Sequence, residues 1–275
     1  MTDIKWRLSG WGVNSMKPGV LVISHGSREA DWVALVDDAV REVRLPEGIP
    51  VVSSFLEIVD GRLIQDGIDR LSAGGVTDIY VLPLFVSSGS THVDDIGQAF
   101  GLKPVSGARA GELEPFDLRG TSVAFGRPID DDPDIAALLL DNIRELSSAP
   151  DREALVLVAH GSGEAVFHER WRTGMRKLAE RVRELGGFAR AETAMLLPDE
   201  AASVLKAMQR QAPDEAIIVV PLFLSDGYFT RHVIPGRLEG LSYRYNGRSI
   251  LPNAFAARWM ERQIYQWLEQ LKCVF

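Results

Sequence analysis

The chain has 275 residues, a formal net charge of −8, 46% hydrophobic residues and 25% charged ones. The negative balance excludes non-specific nucleic-acid binding, and the single cysteine, Cys273, excludes an internal disulfide, a thiolate zinc site and an iron–sulfur cluster. The longest apolar run, residues 216–224, is too short for a bilayer and residues 1–17 lack a signal-peptide core, so a cytoplasmic protein without membrane contact is expected.

Residues 20–24 form a continuous apolar run, as expected of a parallel strand covered on both faces. Trp32, Leu35, Val36, Ala39, Val40 and Val43 then recur at helical spacing. A second strand is expected over 50–56, a helix around 64–71 closed by Gly74 and Gly75, a third strand over 79–86, a fourth over 123–125 and a helix over 133–146. After the polar stretch 147–151 the order repeats, with strands over 155–159, 191–196 and 217–224 and a short one near 243–250. The first helix of this half carries Trp171, Met175, Leu178, Val182 and Leu185 on one stripe. A last helix over 254–271 carries Trp259, Ile264, Trp267, Leu268 and Leu271. Such alternation builds doubly wound parallel sheets with right-handed crossovers. The expected architecture is two similar α/β domains, 1–149 and 150–275, each a Rossmann-type three-layer sandwich, from an internal duplication. Segment 101–119 has no counterpart in the second half and is read as a linker with one short helix, although a flap over a site is the other reading.

The duplication repeats chemistry as well as fold. His25-Gly26-Ser27-Arg28 follows the first strand, and His160-Gly161-Ser162 follows its counterpart. A second shared block, Pro-Leu-Phe followed by glycine and histidine, ends in His92 in one half and His232 in the other. Ligands of open parallel sheets sit beyond the carboxyl ends of the strands, where His25, Glu57 and His92 all fall. Two imidazoles and a carboxylate suit a divalent metal with open positions, or the removal of a proton. His160 and His232 are a possible second site or a remnant of duplication, and His168 is a packing or surface residue. Counting forward from His160 puts Glu192 at the place of Glu57; counting back from Pro221 puts Met195 there, and the strand-anchored count leaves the second half without a carboxylate. Ser27, Ser87, Ser88, Ser90 and Thr91 offer hydroxyls near the same rim, and Arg28 a cationic fork, for the carboxylates of a ligand.

The ordered blocks His-Gly-Ser-Arg, Phe55-Leu56-Glu57 and Pro-Leu-Phe with Gly89 and His92 resemble the class II tetrapyrrole chelatases, most of all the sirohydrochlorin chelatases and cobaltochelatases of the CbiX and SirB type. The resemblance implies ATP-independent insertion of ferrous iron or cobalt into sirohydrochlorin or a related tetrapyrrole, in siroheme or cobalamin biosynthesis. It places the active residues in the first half, at His25, His92 and Glu57. Three positions differ from the family pattern: both Ser90 and Thr91 stand between glycine and histidine, Gly97 stands where proline is usual, and Val59-Asp60-Gly61 follows the glutamate without a proline. Imidazole and carboxylate accept iron, cobalt, nickel and zinc alike, so the metal stays open. A tetrapyrrole or metal carrier without turnover is the alternative. A histidine phosphoryl-transfer enzyme fits less well, because Ser24 and Ala159 stand where such enzymes place arginine and no Gly-x-x-x-x-Gly-Lys-Ser nucleotide loop is present.

Overall fold

A computed structural model describes residues 16–273. The opening residues of the first expected domain and the leader reading of the N-terminus therefore lie largely outside the described residues. The first half runs β1 (Pro18–Ser24), α1 (Ala30–Arg41), β2 (Val51–Phe55), α2 (Ile64–Ala73), β3 (Asp78–Pro83), α3 (Thr91–Ala99), β4 (Ser122–Phe125) and α4 (Pro133–Ile143). The second runs β5 (Glu153–Gly161), α5 (Ala165–Gly186), β6 (Arg190–Leu197), α6 (Ala201–Gln211), β7 (Ala216–Pro221), a π-helical turn Phe229–Val233, α7 (Ile234–Arg237) and α8 (Ala254–Cys273). All strand pairs are parallel, in the orders β2-β1-β3-β4 and β6-β5-β7.

β3 and β7 stop earlier than the apolar pattern suggests, at Pro83 and Pro221; one further bond follows each, from Leu84 N to Ile23 O at 2.7 Å and from Leu222 N to Val158 O at 2.8 Å. The short strand expected near 243–250 does not form; Ile218 and Arg244 make only an isolated bridge. Beyond it the chain turns at Gly247, whose φ is +73°, which breaks the extended run. Segment 101–119 contains no helix. It is tied down instead by α3: Asp94 accepts from Val105 N at 2.8 Å, and Asp95 holds the Arg109 guanidinium.

Strand alternation sorts the core into three parts. Leu21, Ile23, Ile79 and Val81 face α2 and α3, whereas Val20, Val22, Tyr80 and Leu82 face the other half. On the second sheet Leu155, Leu157, Ile218 and Val220 face back, and Ala154, Val156, Val158 and Val219 face α6 and α7. The two inner faces share one cluster with residues of α1, α4, α5 and α8. The two sandwiches thus have a common middle layer. α8, at the end of the second half, lies on the first sheet: Trp267 stacks on Tyr80 of β3 with ring centroids 5.1 Å apart. Among the described residues no helix is long and apolar enough to cross a membrane.

Candidate active site

β1 delivers His25 and Gly26 to the C-terminal edge of the first sheet. Gly26 has φ +105°, and a Cβ there would collide with the carbonyl oxygen of Glu57, so glycine alone lets the two chains pass. The β1–β2 ladder continues past the strand ends: Leu56 N donates to Ser24 O at 2.8 Å and Glu57 N to His25 O at 3.1 Å. Glu57 is thereby pinned beside His25, with Oε1 3.6 Å from His25 Nε2. Immediately afterwards Ile58 takes φ +75°, and Val59 N donates to Glu57 O at 2.9 Å. This γ-turn is strained for a β-branched residue, and it turns the chain away as soon as the carboxylate is placed.

β3 neighbours β1, and the loop after Pro83 brings His92 back in the first turn of α3. The His92 and His25 rings meet edge to face, with centroids 4.8 Å apart and planes at 78°. His25 Nδ1 lies 3.2 Å from Gly26 O, and an N–H donated there leaves Nε2 as the free lone pair. Burial, with the neighbouring His25 second, holds the His92 imidazole below its ordinary value; Asp95, Glu57 and Glu112 pull the other way. His92 is therefore neutral at pH 7, with a nitrogen lone pair to offer.

Both rings open on a cleft of about 1210 Å³ between the halves. Its base is closed by contacts across the halves. Trp32 Nε1 of α1 donates to Ser225 Oγ at 2.6 Å, and Gly89 packs so tightly on Trp171 and the Phe167 carbonyl of α5 that a side chain there would not fit.

The second half faces the same cleft with different groups. His160 is the last residue but one of β5, whereas His25 directly follows β1; the His160 Nδ1 lies 3.1 Å from Gly161 O, and Gly161 has φ +81°. Here a Cβ would collide with the carbonyl of Leu197, which pairs with Gly161 across β5 and β6. Leu197 therefore holds the place of Glu57. Met195 pairs with Ala159 instead and Glu192 with Val156, so both counts along the sequence missed it. The forward count fails because α5 has 22 residues against 12 in α1, and the backward count because the chain from Leu197 to Pro221 is shorter than that from Glu57 to Pro83. The place of His92 is also taken: Phe229 meets His160 edge to face at 5.2 Å and 78°. The π-helical turn produces this, with buried Thr230 anchored through Oγ1 to Asp226 Oδ1 and Gly227 N while Phe229 and Tyr228 stay on the cleft. His232 follows in the same turn, exposed and outside the cleft lining. The second half therefore brings no imidazole pair together.

The other sequence candidates divide between cleft and scaffold. Ser27, Ser90 and Thr91 line the cleft, and Ser27 Oγ also accepts from Glu29 N at 3.1 Å. Ser87 and Ser88 do not line it; Ser87 Oγ accepts from Gly89 N, and Ser88 N and Oγ both donate to Asp130 Oδ1. Arg28 is exposed and outside the lining. His168 packs locally, receiving Arg172 Nη2 at Nε2 and lying 3.2 Å from Ser162 O through Nδ1. Among the described residues no three His, Cys, Asp or Glu side chains stand close enough to hold a metal ion together. His25, His92 and Glu57 are thus not a ready-made coordination sphere. The side chains of His25 and Glu57 are 41% and 54% exposed. Phe229, Tyr228 and Leu197 escaped the sequence reading. The one signal was that two aromatic residues separate Gly227 from Thr230, where serine and threonine precede His92.

The CbiX family model matches the chain twice, over residues 19–146 and 154–265, one match to each half. The sirohydrochlorin cobaltochelatase of Methanopyrus kandleri is 25% identical over 139 residues, 46% of this chain and 94% of that protein. SirB from Bacillus subtilis with Fe3+ superposes with a TM-score of 0.68 at 16% identity, over 91% of this chain and 95% of that one. The structure of CbiX described as the terminal enzyme for biosynthesis of siroheme in denitrifying bacteria gives 0.61 at 16% identity, over 91% and 98%. At such identities the structural likeness concerns the fold.

Proposed function

The chain belongs to the CbiX family, and on that premise we propose that it inserts a divalent metal ion, iron or cobalt, into sirohydrochlorin or a related tetrapyrrole, with His25, His92 and Glu57 carrying the chemistry. The observation that carries this reading is the pair of imidazoles 4.8 Å apart that line a cleft of about 1210 Å³, backed by the Glu57 carboxylate, outside the lining but 3.6 Å from His25.

Insertion requires the ion to shed water while two pyrrole N–H protons leave. Neutral His92 offers a lone pair to the ion or to a proton, because burial keeps it from being protonated first. His25 presents its Nε2 lone pair toward Glu57, whose charge stabilises the imidazolium that forms when a proton is taken up. The metal and the macrocycle are both substrates, so an open set of ligands that can let go suits turnover better than a closed cage. A carboxylate beside the strand-end imidazole is found in the first half, at Glu57, and a leucine stands in its place in the second, which supports the first half as the catalytic one. Aerobic and anaerobic incubation with sirohydrochlorin and each metal in turn, followed by absorption spectroscopy, tests the reading. A chelatase yields metallated product in large excess over protein; a carrier stops at one equivalent, and that result would replace chelation by binding.

A further inference from the structure

The cleft has one apolar wall and an acidic lining. Three of the large hydrophobic side chains that the protein leaves exposed stand together on it: Tyr228 at 71%, Leu197 at 47% and Phe229 at 37%. Phe229 is backed by Phe223, stacked at 5.5 Å with planes 15° apart, so the aromatic surface is broad and rigid. Apart from histidine, the ionisable side chains of the lining are Glu29, Asp31, Glu164 and Asp226, against a single cation, Arg231. That guanidinium is already engaged by Asp226 Oδ2, from Nε at 3.1 Å and from Nη2 at 2.7 Å.

A flat conjugated macrocycle has two chemically distinct parts, an apolar face and an edge that bears its side-chain acids. The wall suits the face, because an aromatic surface meets a conjugated ring by offset stacking. The lining does not suit a charged edge. Carboxylates entering it meet like charges and find no uncommitted arginine or lysine among the lining residues, where tight carboxylate binding ordinarily uses an arginine fork. The same acidic lining favours the approach of a divalent cation.

Resting on the chelatase reading, we propose that this cleft selects its macrocycle by the face, on Tyr228, Phe229 and Leu197, and prefers a tetrapyrrole whose edge acids are neutralised, as in side-chain amides, over the fully acidic form. The second half is then the specificity half. Phe229 and Leu197 stand where a second imidazole and carboxylate would complete a second metal-handling set, and they supply macrocycle contact instead.

The test measures metal-free binding by absorption or fluorescence titration on the full chain, using sirohydrochlorin and sirohydrochlorin amidated at its acetate side chains. At low ionic strength the amide is expected to bind at least about tenfold more tightly, with the gap narrowing as salt screens the lining. Tyr228→Ala and Phe229→Ala are each expected to weaken both ligands by about tenfold; Tyr228 is exposed enough that its removal leaves the fold intact. Equal or tighter binding of the acidic form at low salt, or unchanged affinity in both variants, overturns the proposal. Turnover with cobalt is read separately: binding with the expected preference but no metallation removes the chelatase reading and leaves the selectivity standing.

Discussion

The two halves place an imidazole in the same way, His25 Nδ1 at 3.2 Å from Gly26 O and His160 Nδ1 at 3.1 Å from Gly161 O, and then surround it with opposite chemistry. Around His25 stand a second imidazole and a carboxylate; around His160 stand a phenylalanine and a leucine. The shared part is what the sheet requires. A strand end passing over its neighbour's carbonyl needs glycine at positive φ in both halves, whatever the protein does. The differing part is side chains that point into open space, where the fold imposes little. A duplicated sheet thus lets one cleft be furnished with reactive groups on one wall and apolar ones on the other.

The largest effect that can break this comparison is on turnover. His25→Ala and His92→Ala should each lower kcat by about 10²–10⁴-fold, the usual contribution of a positioned proton-transfer group. His160→Ala should change it by less than about threefold, since no second imidazole or carboxylate works with it. Cobalt insertion followed by absorbance reads all three variants. An equal loss in His160→Ala would make the halves functional equals and sink the assignment of chemistry to the first.

Next in size is the coupling of the halves through their common middle layer. Trp267 is 5% exposed and belongs by sequence to the second half, yet it stacks on Tyr80 of the first sheet. Trp267→Ala should cost about 3–5 kcal/mol. In urea the whole chain should still unfold in one transition, shifted to lower denaturant. Two separate transitions, with only the first-half probe moving, would show that the halves fold independently.

The sequence displayed one part of this organisation and concealed another. The alternation of strands and helices along the chain and the placement of His25, Glu57 and His92 at strand ends were legible, because apolar runs and strand-end glycines are local signals. The position of α8 was not. Its amphipathic stripe says that Trp259, Ile264 and Trp267 are buried but not against which sheet. The counterparts of Glu57 and His92 in the second half were concealed for a different reason. The longer α5 shifts one count, and the π-helical turn rotates Phe229 into the place that His232 would be assigned by alignment. Likewise the 101–119 segment is polar and rich in glycine, yet it is fixed by Asp94 and Asp95 of α3, partners that local pattern cannot reveal.

A smaller effect concerns the junction between the halves. Glu153 is 2% exposed at the start of β5. Burial alone would raise its carboxyl, but Ser147 Oγ, the amides of Ser148 and Ala149 and the Arg244 guanidinium outweigh burial and hold it down at about 2. A folded value below the unfolded one stabilises the protein above the unfolded value near 4.5, and this contribution disappears as pH falls toward 2. Glu153→Gln should therefore lower stability at pH 7 by on the order of 2–3 kcal/mol. The difference from the parent protein should shrink as the pH is lowered through 4 to 2, as followed by urea unfolding at each pH. A pH-independent difference would mean that packing, and not charge, makes the connection.

The smallest effect separates the two walls by titration. Burial first and His25 second depress the His92 imidazole, while Asp95, Glu57 and Glu112 oppose them. A base depressed in the folded state binds fewer protons there than when unfolded. Stability then falls as pH drops below the ordinary imidazole value near 6.5, and the ring stays neutral through pH 7. In a histidine-selective NMR titration the His92 midpoint should lie below that ordinary value. His25→Ala removes a like charge and should raise the midpoint; Glu57→Gln removes an opposing one and should lower it further. These opposite signs are the signature of three groups acting on one another at a common rim. His160→Ala, on the facing wall, should leave the His92 midpoint close to where it was, because burial, His25, Asp95, Glu57 and Glu112 are what chiefly set it. Movement of His92 in that variant would mean that the walls approach each other closely enough to titrate together, and the division of labour between the halves would have to be redrawn around a single four-group site.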